Sequence, residues 1–298
     1  MIWKKRGKLG IDVIQSAAAI KRFRRAVRAL KFGDLLNPNI KDIIVEPSIA
    51  TVETSKEINK FIDENLDELN KVAVKKALST KDLFLIQGPP GTGKTTVITE
   101  IVGQILKENP NNKILLASPS HVAVDHAIQS IIKNLDKDKR IIRVGRSERI
   151  SKESQSLLIS NQLEKWVEGV KKNSKDELLN YLNQNHNINK ELSDEIQKEI
   201  ENISINDVSD ENNPLFQAPS NVKRIVGVIK EWHRRLNSLE EFDEIFAQDA
   251  SVVAATCTGI ASRHVLNDIA FDWVIIDEAA RATAPELLLP MIRGKKLF

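Results

Sequence analysis

The chain has 298 residues, 41% of them hydrophobic, with 44 Lys and Arg against 41 Asp and Glu and a net charge of +3. That composition supports one large α/β domain with an insertion, or two small domains. The single cysteine, Cys257, excludes an intramolecular disulfide and a cysteine-rich metal site. No apolar run approaches a bilayer-crossing length and nothing at the N-terminus reads as a signal peptide, so a soluble cytoplasmic protein with no membrane partner is the expectation.

Charge is unevenly spread. Residues 1–31 carry ten basic side chains against Asp12 alone, a net of +9. Such an end suits either an acidic partner such as nucleic acid or a solvated arm. The spacing predicts a basic helix over 11–30, a loop around Asn37-Pro38-Asn39, and a strand Asp42–Val45 closed by Pro47. Residues 54–78 read as a helix, with Ile58, Phe61, Ile62, Leu66, Leu69, Val72 and Ala73 at three- and four-residue steps and Thr54 or Ser55 as cap. Residues 1–65 form a basic accessory segment in this reading.

Elements alternate from residue 83 onward. A buried strand Leu83–Gln87 leads to helix 94–107, a turn Asn109–Asn112, strand Lys113–Ser118, helix 122–134, a turn over 136–139, and strand Ile141–Val144. Alternating βαβα with apolar strands predicts an α/β fold, a parallel sheet covered by helices on both faces. The pattern changes over 151–248, where strand-like runs stop. Three apolar series at helical spacing follow: Leu163 to Val170, Leu192 to Ile203, and Val222 to Ile245. Seven basic and thirteen acidic side chains over 151–220 give a net of −6. This predicts a helical hairpin insertion that serves as a spacer or protein-contact stalk rather than a duplex-binding surface. Strands resume at Ser251–Ala255 and Trp273–Ile276. The expected division is therefore 1–65, a core of 66–150 with 249–298, and an insertion at 151–248.

The chemistry is concentrated in two stretches. Gly88-Pro89-Pro90-Gly91-Thr92-Gly93-Lys94-Thr95 matches the phosphate-binding pattern G-x-x-x-x-G-K-[ST], between a strand and a helix as that pattern requires. The glycines let backbone N–H groups curl inward, where side chains would obstruct phosphates. Lys94 suits the β- and γ-phosphates, Thr95 suits magnesium, and the helix starting near Lys94 and running through Thr96 adds its positive end. ATP with Mg2+ is the ligand pair this predicts. Asp277 and Glu278, at the end of an apolar strand, complete it. Asp277 suits the metal's water shell, and Glu278 suits polarisation of the attacking water.

Asp277-Glu278-Ala279-Ala280-Arg281-Ala282-Thr283 resembles motif II of superfamily 1 helicases, in the branch of the nonsense-mediated-decay and immunoglobulin-switch-binding helicases. Gly88–Thr95 is similar to their motif I. Ser118-Pro119-Ser120-His121-Val122-Ala123-Val124-Asp125 is similar to motif Ia, Arg143-Val144-Gly145-Arg146 to the following strand and loop, and Ala255-Thr256-Cys257-Thr258-Gly259 to a nucleic-acid-contacting motif. The resemblance covers about 66–150 and 250–298. It implies a P-loop NTPase domain of RecA-like fold, the first of two in a helicase or translocase on single-stranded DNA or RNA. Ser118, Pro119, Ser120, His121, Arg146, Thr256 and Thr258 are the implied strand contacts; the same hydroxyls also suit helix N-capping. Asn70 stands where the family usually has an adenine-reading glutamine, His121 where it has asparagine, and Arg281 where it often has glutamine. The resemblance further implies that arginines of a second RecA-like domain complete the ATPase site, so these 298 residues bind nucleotide but hydrolyse it slowly. The alternative is a truncated or split nucleotide-binding module that acts through a partner protein.

Overall fold

The computed structural model describes residues 13–50, 57–135, 140–184, 220–236, 240–261, 266 and 269–298. The chain divides into two compact units, Met1–Ile159 with Ala247–Phe298, and Ser160–Phe246.

The first unit is built on a five-stranded, all-parallel sheet in the order β2-β3-β1-β4-β5. The strands are β1 (Ile114–Ser118), β2 (Ile141–Val144), β3 (Val252–Thr256), β4 (Phe271–Ile276) and β5 (Gly294–Leu297). Ile114 pairs with Val252 on one side and with Trp273 on the other. Every residue of β1, β2 and β3 is buried. That is why these strands read as continuous apolar runs rather than alternating ones: helices cover both faces.

One face is packed by α3 (Glu68–Ser79), α4 (Lys94–Glu108) and α5 (His121–Asn134). Val97, Ile101, Val102 and Ile105 of α4 meet Val124, Ile128 and Ile131 of α5 above Ile114, Leu116, Ala254 and Ile275. These positions recur at three and four residues, so each helix turns one stripe to the sheet. The helix α1 (Val13–Phe32) packs against α11 (Ala284–Met291), which joins β4 to β5. The short helices α2 (Asn39–Val45), α6 (Lys152–Gln155) and α10 (Cys257–Ile260) complete this unit.

Three expectations are corrected. Residues 42–45 belong to helix α2, not to a strand. Ile40 and Ile43 are its buried residues, and a three-residue step between buried positions suits a helix where the β-branched run suggested a strand. The helix expected over 54–78 starts only at Glu68, where Asp67 caps it by accepting a hydrogen bond from Asn70 N at 2.8 Å. Thr54 and Ser55 lie outside the described residues. Ile58 and Phe61 still pack on the core, but as loop: the buried Glu100 accepts hydrogen bonds from Ile62 N and Asp63 N, both at 2.9 Å, and fixes that segment against α4. Finally, Leu83–Gln87 is extended but is no buried strand. Leu83 makes a single parallel bridge to Leu297, and Leu85 is 76% exposed. Among the described residues it pairs with β5, through Phe84 N to Leu297 O at 2.9 Å and Leu297 N to Asp82 O at 2.8 Å.

The second unit is helical over its described residues, as expected. It holds most of α7 (Ile159–Gln184), α8 (Ser220–Leu236) and most of α9 (Glu240–Gln248). The third apolar series is thus two helices. Trp166 sits against Phe242 and Phe246, with ring centroids 5.8 and 6.2 Å apart. The series Leu192 to Ile203 lies outside the described residues.

Candidate functional site

In a parallel sheet all carboxyl ends lie on one edge, and that edge collects the sequence motifs. The extended segment at 83 runs parallel to β5 and delivers the glycine-rich loop there. Gly91 (φ 83°) and Gly93 (φ 79°) adopt the left-handed region, which other residues enter at a cost of about 1–2 kcal/mol. A Cβ on Gly88 would come within 2.7 Å of Thr92 Oγ1. Gly93 is the N-cap of α4 and supplies no side-chain cap, so the first-turn N–H groups are left to an outside acceptor. Lys94 folds over the loop, its Nζ donating to Gly88 O and Pro89 O, both at 2.8 Å. Thr95 is half-buried and Thr96 exposed in the first turn. Asn70 reaches the same loop, with Nδ2 donating to Asp67 Oδ2 at 2.8 Å and to Thr92 O at 3.4 Å.

Asp277 leaves the end of β4, its N–H donating to Ala117 O at 2.9 Å. Burial pushes its carboxyl above the ordinary range, opposed first by the hydrogen bond that its Oδ1 accepts from Glu278 N at 2.9 Å; the charge of Glu278 adds to the rise, and the charges of Lys94 and His126 lessen it. Glu278 takes a left-handed conformation (φ 54°), the one non-glycine residue to do so among those described. Its Oε2 accepts from Arg281 Nη1 at 3.0 Å.

These residues fit a magnesium nucleotide. A helix N-terminus without a side-chain cap and an ammonium held on loop carbonyls suit phosphate. A threonine hydroxyl and a carboxylate are hard oxygen donors of the kind Mg2+ takes. Among the described residues no three His, Cys, Asp or Glu side chains converge as a cation cage. Mg2+ needs none, since phosphates and waters supply its remaining ligands.

The implied strand contacts share the edge but differ in availability. Ser118 and Thr256 pair across β1 and β3. Ser118 is fully buried, and its hydroxyl accepts from Ser120 N at 3.3 Å. Ser120 caps α5 through Ala123 N at 3.4 Å, and Thr256 caps α10 through Gly259 N at 3.1 Å. Pro119 and His121 are half-buried, while Arg146 and Thr258 are exposed.

Sequence reasoning missed one group. Arg143 is 0% exposed inside β2. Its Nε donates to Asp125 Oδ1 at 2.7 Å and its Nη1 to Val144 O at 2.7 Å, and its Nη2 lies 3.2 Å from His121 Nδ1. Asp125 Oδ2 also accepts from Ser151 N at 2.8 Å. The signal was present: a guanidinium within the apolar tetrad Ile141-Ile142-Arg143-Val144 must find a buried partner.

A phosphate-binding loop feeding a helix at the carboxyl edge of an all-parallel, helix-covered sheet is the architecture of a P-loop NTPase with a RecA-like fold. The chain belongs to the AAA_11 family of AAA domains, whose profile matches residues 65–298. It is similar to an uncharacterized ATP-dependent helicase of Methanocaldococcus jannaschii, with 35% identity over 80% of this chain and 37% of that protein. It is similar to the DNA polymerase alpha-associated DNA helicase A of Saccharomyces cerevisiae, with 28% identity over 90% of this chain and 36% of the relative. Regulator of nonsense transcripts 1 of Caenorhabditis elegans is 27% identical over 95% of this chain and 23% of its own length. The chain therefore spans little more than a third of these relatives, or less. The resemblance to the superfamily 1 helicase branch is borne out. Among the described residues no helix is long and apolar enough to cross a membrane.

Proposed function

We propose that this chain is the ATP-binding motor half of an ATP-dependent helicase or translocase on single-stranded DNA or RNA. The observation that carries the reading is that the phosphate loop, with Lys94 folded over it, and the Asp277–Glu278 pair at the end of β4 come to the same edge of the parallel sheet. Relatives named as ATP-dependent helicases support it. Bound ATP with Mg2+ would supply the transferable γ-phosphoryl group and the charge that neutralises it. The loop N–H groups and Lys94 would hold the phosphates, Thr95 and Asp277 would hold the metal, and Asn70, which reaches the loop at Thr92 O, would face the base. Glu278 accepts the proton of the attacking water once Arg281 releases it. His121, Arg146 and Thr258 contact the backbone of a single strand along the edge, with Ser118, Pro119, Ser120 and Thr256 shaping the turns that carry them. Such contacts read no sequence.

Hydrolysis by this chain alone is slow in this reading. Arginine contacts to the transferring group are worth about 10³–10⁵ in rate, and Arg281, next to the carboxylates, is engaged with Glu278. A second RecA-like domain would supply such arginines; the greater length of the relatives supports this. The decisive experiment is titration of a fluorescent ATP analogue with and without Mg2+. Lys94→Ala removes a charged hydrogen-bond donor worth about 1.5–3 kcal/mol, so affinity should fall roughly 10- to 100-fold. Unchanged affinity in Lys94→Ala, or fast strand-stimulated hydrolysis by residues 1–298, would sink the proposal.

A further inference from the structure

His121 begins α5 at the carboxyl edge of β1, and its Nδ1 lies 3.2 Å from Nη2 of the buried Arg143. A guanidinium has five N–H donors and no acceptor, and it does not lose its proton in proteins. Here it is held by three further contacts: Nε on Asp125 Oδ1 at 2.7 Å, and Nη1 on Val144 O at 2.7 Å and Ala254 O at 3.5 Å. It cannot turn away. His121 Nδ1 must therefore be the acceptor, which places the ring proton on Nε2 and leaves the ring neutral.

We infer that Arg143 is a positioning residue that locks His121 as the neutral Nε2–H tautomer, so that the start of α5 offers a strand phosphate a directed hydrogen-bond donor rather than a cation. This rests on the reading that the sheet edge binds single-stranded nucleic acid. No acceptor for Nε2–H is present among the described residues. The groups around the ring agree with the neutral form. Burial, Arg143 and Arg149 lower its pKa from the ordinary histidine value, and only Asp125, on its own helix, opposes them. Asp125 is itself occupied by Arg143 and by Ser151 N. The neutral donor explains how histidine stands at a position suited to an amide. Both are neutral N–H donors, the amide with two N–H groups and the ring with one, and neither releases a counterion when it meets phosphate.

The test combines NMR with strand binding. In 15N-histidine-labelled protein the ring-nitrogen shifts of His121 should report the Nε2–H tautomer near neutral pH, with a titration midpoint below the ordinary value of about 6.5. An Nδ1–H tautomer or a midpoint above that value overturns the inference. Arg143→Lys keeps a charge for Asp125 but lacks the second arm, so the ring should relax to mixed tautomers with a higher midpoint. An unaltered tautomer in a folded Arg143→Lys protein overturns it equally, and if that variant fails to fold the wild-type spectrum still decides. Binding of an oligo-dT strand near pH 6.5 should show the same salt slope for wild type and His121→Asn. A slope shallower by about 0.7 in the variant would mean a cationic His121 and overturn the inference. Absence of any strand binding at low salt overturns both the donor role and the strand-binding reading. A wrong tautomer with intact binding overturns the donor role alone.

Discussion

Glu278 carries its carboxylate on a backbone that resists it, and the strain is measurable by comparing two substitutions. At φ 54°, ψ 31° it sits in the left-handed region, where a side chain costs about 1–2 kcal/mol. Glu278→Ala keeps that cost and loses the ion pair to Arg281, which is 71% exposed and worth about 0–1 kcal/mol. Glu278→Gly loses the same ion pair and relieves the strain, against roughly 0.5–1 kcal/mol of extra chain entropy to be lost on folding. The glycine variant should therefore be the more stable of the two by about 0.5–1 kcal/mol. In an ordinary helix interior the order is reversed, with glycine worse by about 1 kcal/mol. The difference corresponds to about 1–4 °C in melting midpoint for a domain of this size, readable by circular dichroism on matched samples. An alanine variant more stable than the glycine variant would refute the left-handed conformation. Under the proposed function neither should hydrolyse ATP, because both lack the carboxylate that takes the water's proton.

Further outcomes follow from other buried groups. Asp125→Ala strands the Arg143 charge and should cost about 3–5 kcal/mol; the double variant Arg143→Met with Asp125→Leu should cost less than the single one by urea denaturation, and a larger cost would show that the pair is not a unit. His233 is buried in the second unit, its Nε2 2.7 Å from Ser174 Oγ, and its pKa is lowered by burial and by Lys171 and Lys175. The unfolded chain then binds more protons than the folded one just below the ordinary histidine value, so stability should be full above about pH 6.5 and fall as pH drops through that window. His233→Gln should flatten that fall in thermal midpoints, whereas an unchanged pH profile would show that His233 does not carry it. Cys257 is 1% exposed, and burial, with Glu286 adding, pushes its thiol up to about 12. Ellman's reagent should find no thiol in the native protein at mildly alkaline pH and one after denaturation; rapid native labelling would contradict its placement.

Much of the fold was legible because it rests on local signals. The loop Gly88–Thr95 needs its glycines wherever it occurs, and helix α4 follows from a stripe at three and four residues. Strands β1, β2 and β4 announce themselves as apolar runs, since both faces of the sheet are covered. Short segments decided by distant partners were not legible. Residues 42–45 became helix because Ile40 and Ile43 are buried together, and 57–67 became a loop because Glu100, far along the chain, takes its N–H groups. The segment leading to the phosphate loop is held by β5, distant in the sequence, through Phe84 N to Leu297 O.

The site divides in the same way. The sequence by itself determined which residue types stand in order for a nucleoside triphosphate and its metal, because that chemistry depends on residue identity at close spacing. Only the tertiary structure decided which of the other polar residues are tied up in the fold and which stay at the surface. The Ser118 hydroxyl accepts from Ser120 N, the hydroxyls of Ser120 and Thr256 cap helices, Arg281 meets Glu278, and His121 is tied to an arginine two strands away in the sheet. A buried guanidinium must be satisfied by whatever the fold brings within reach, and that neighbourhood is set across strands rather than along the chain.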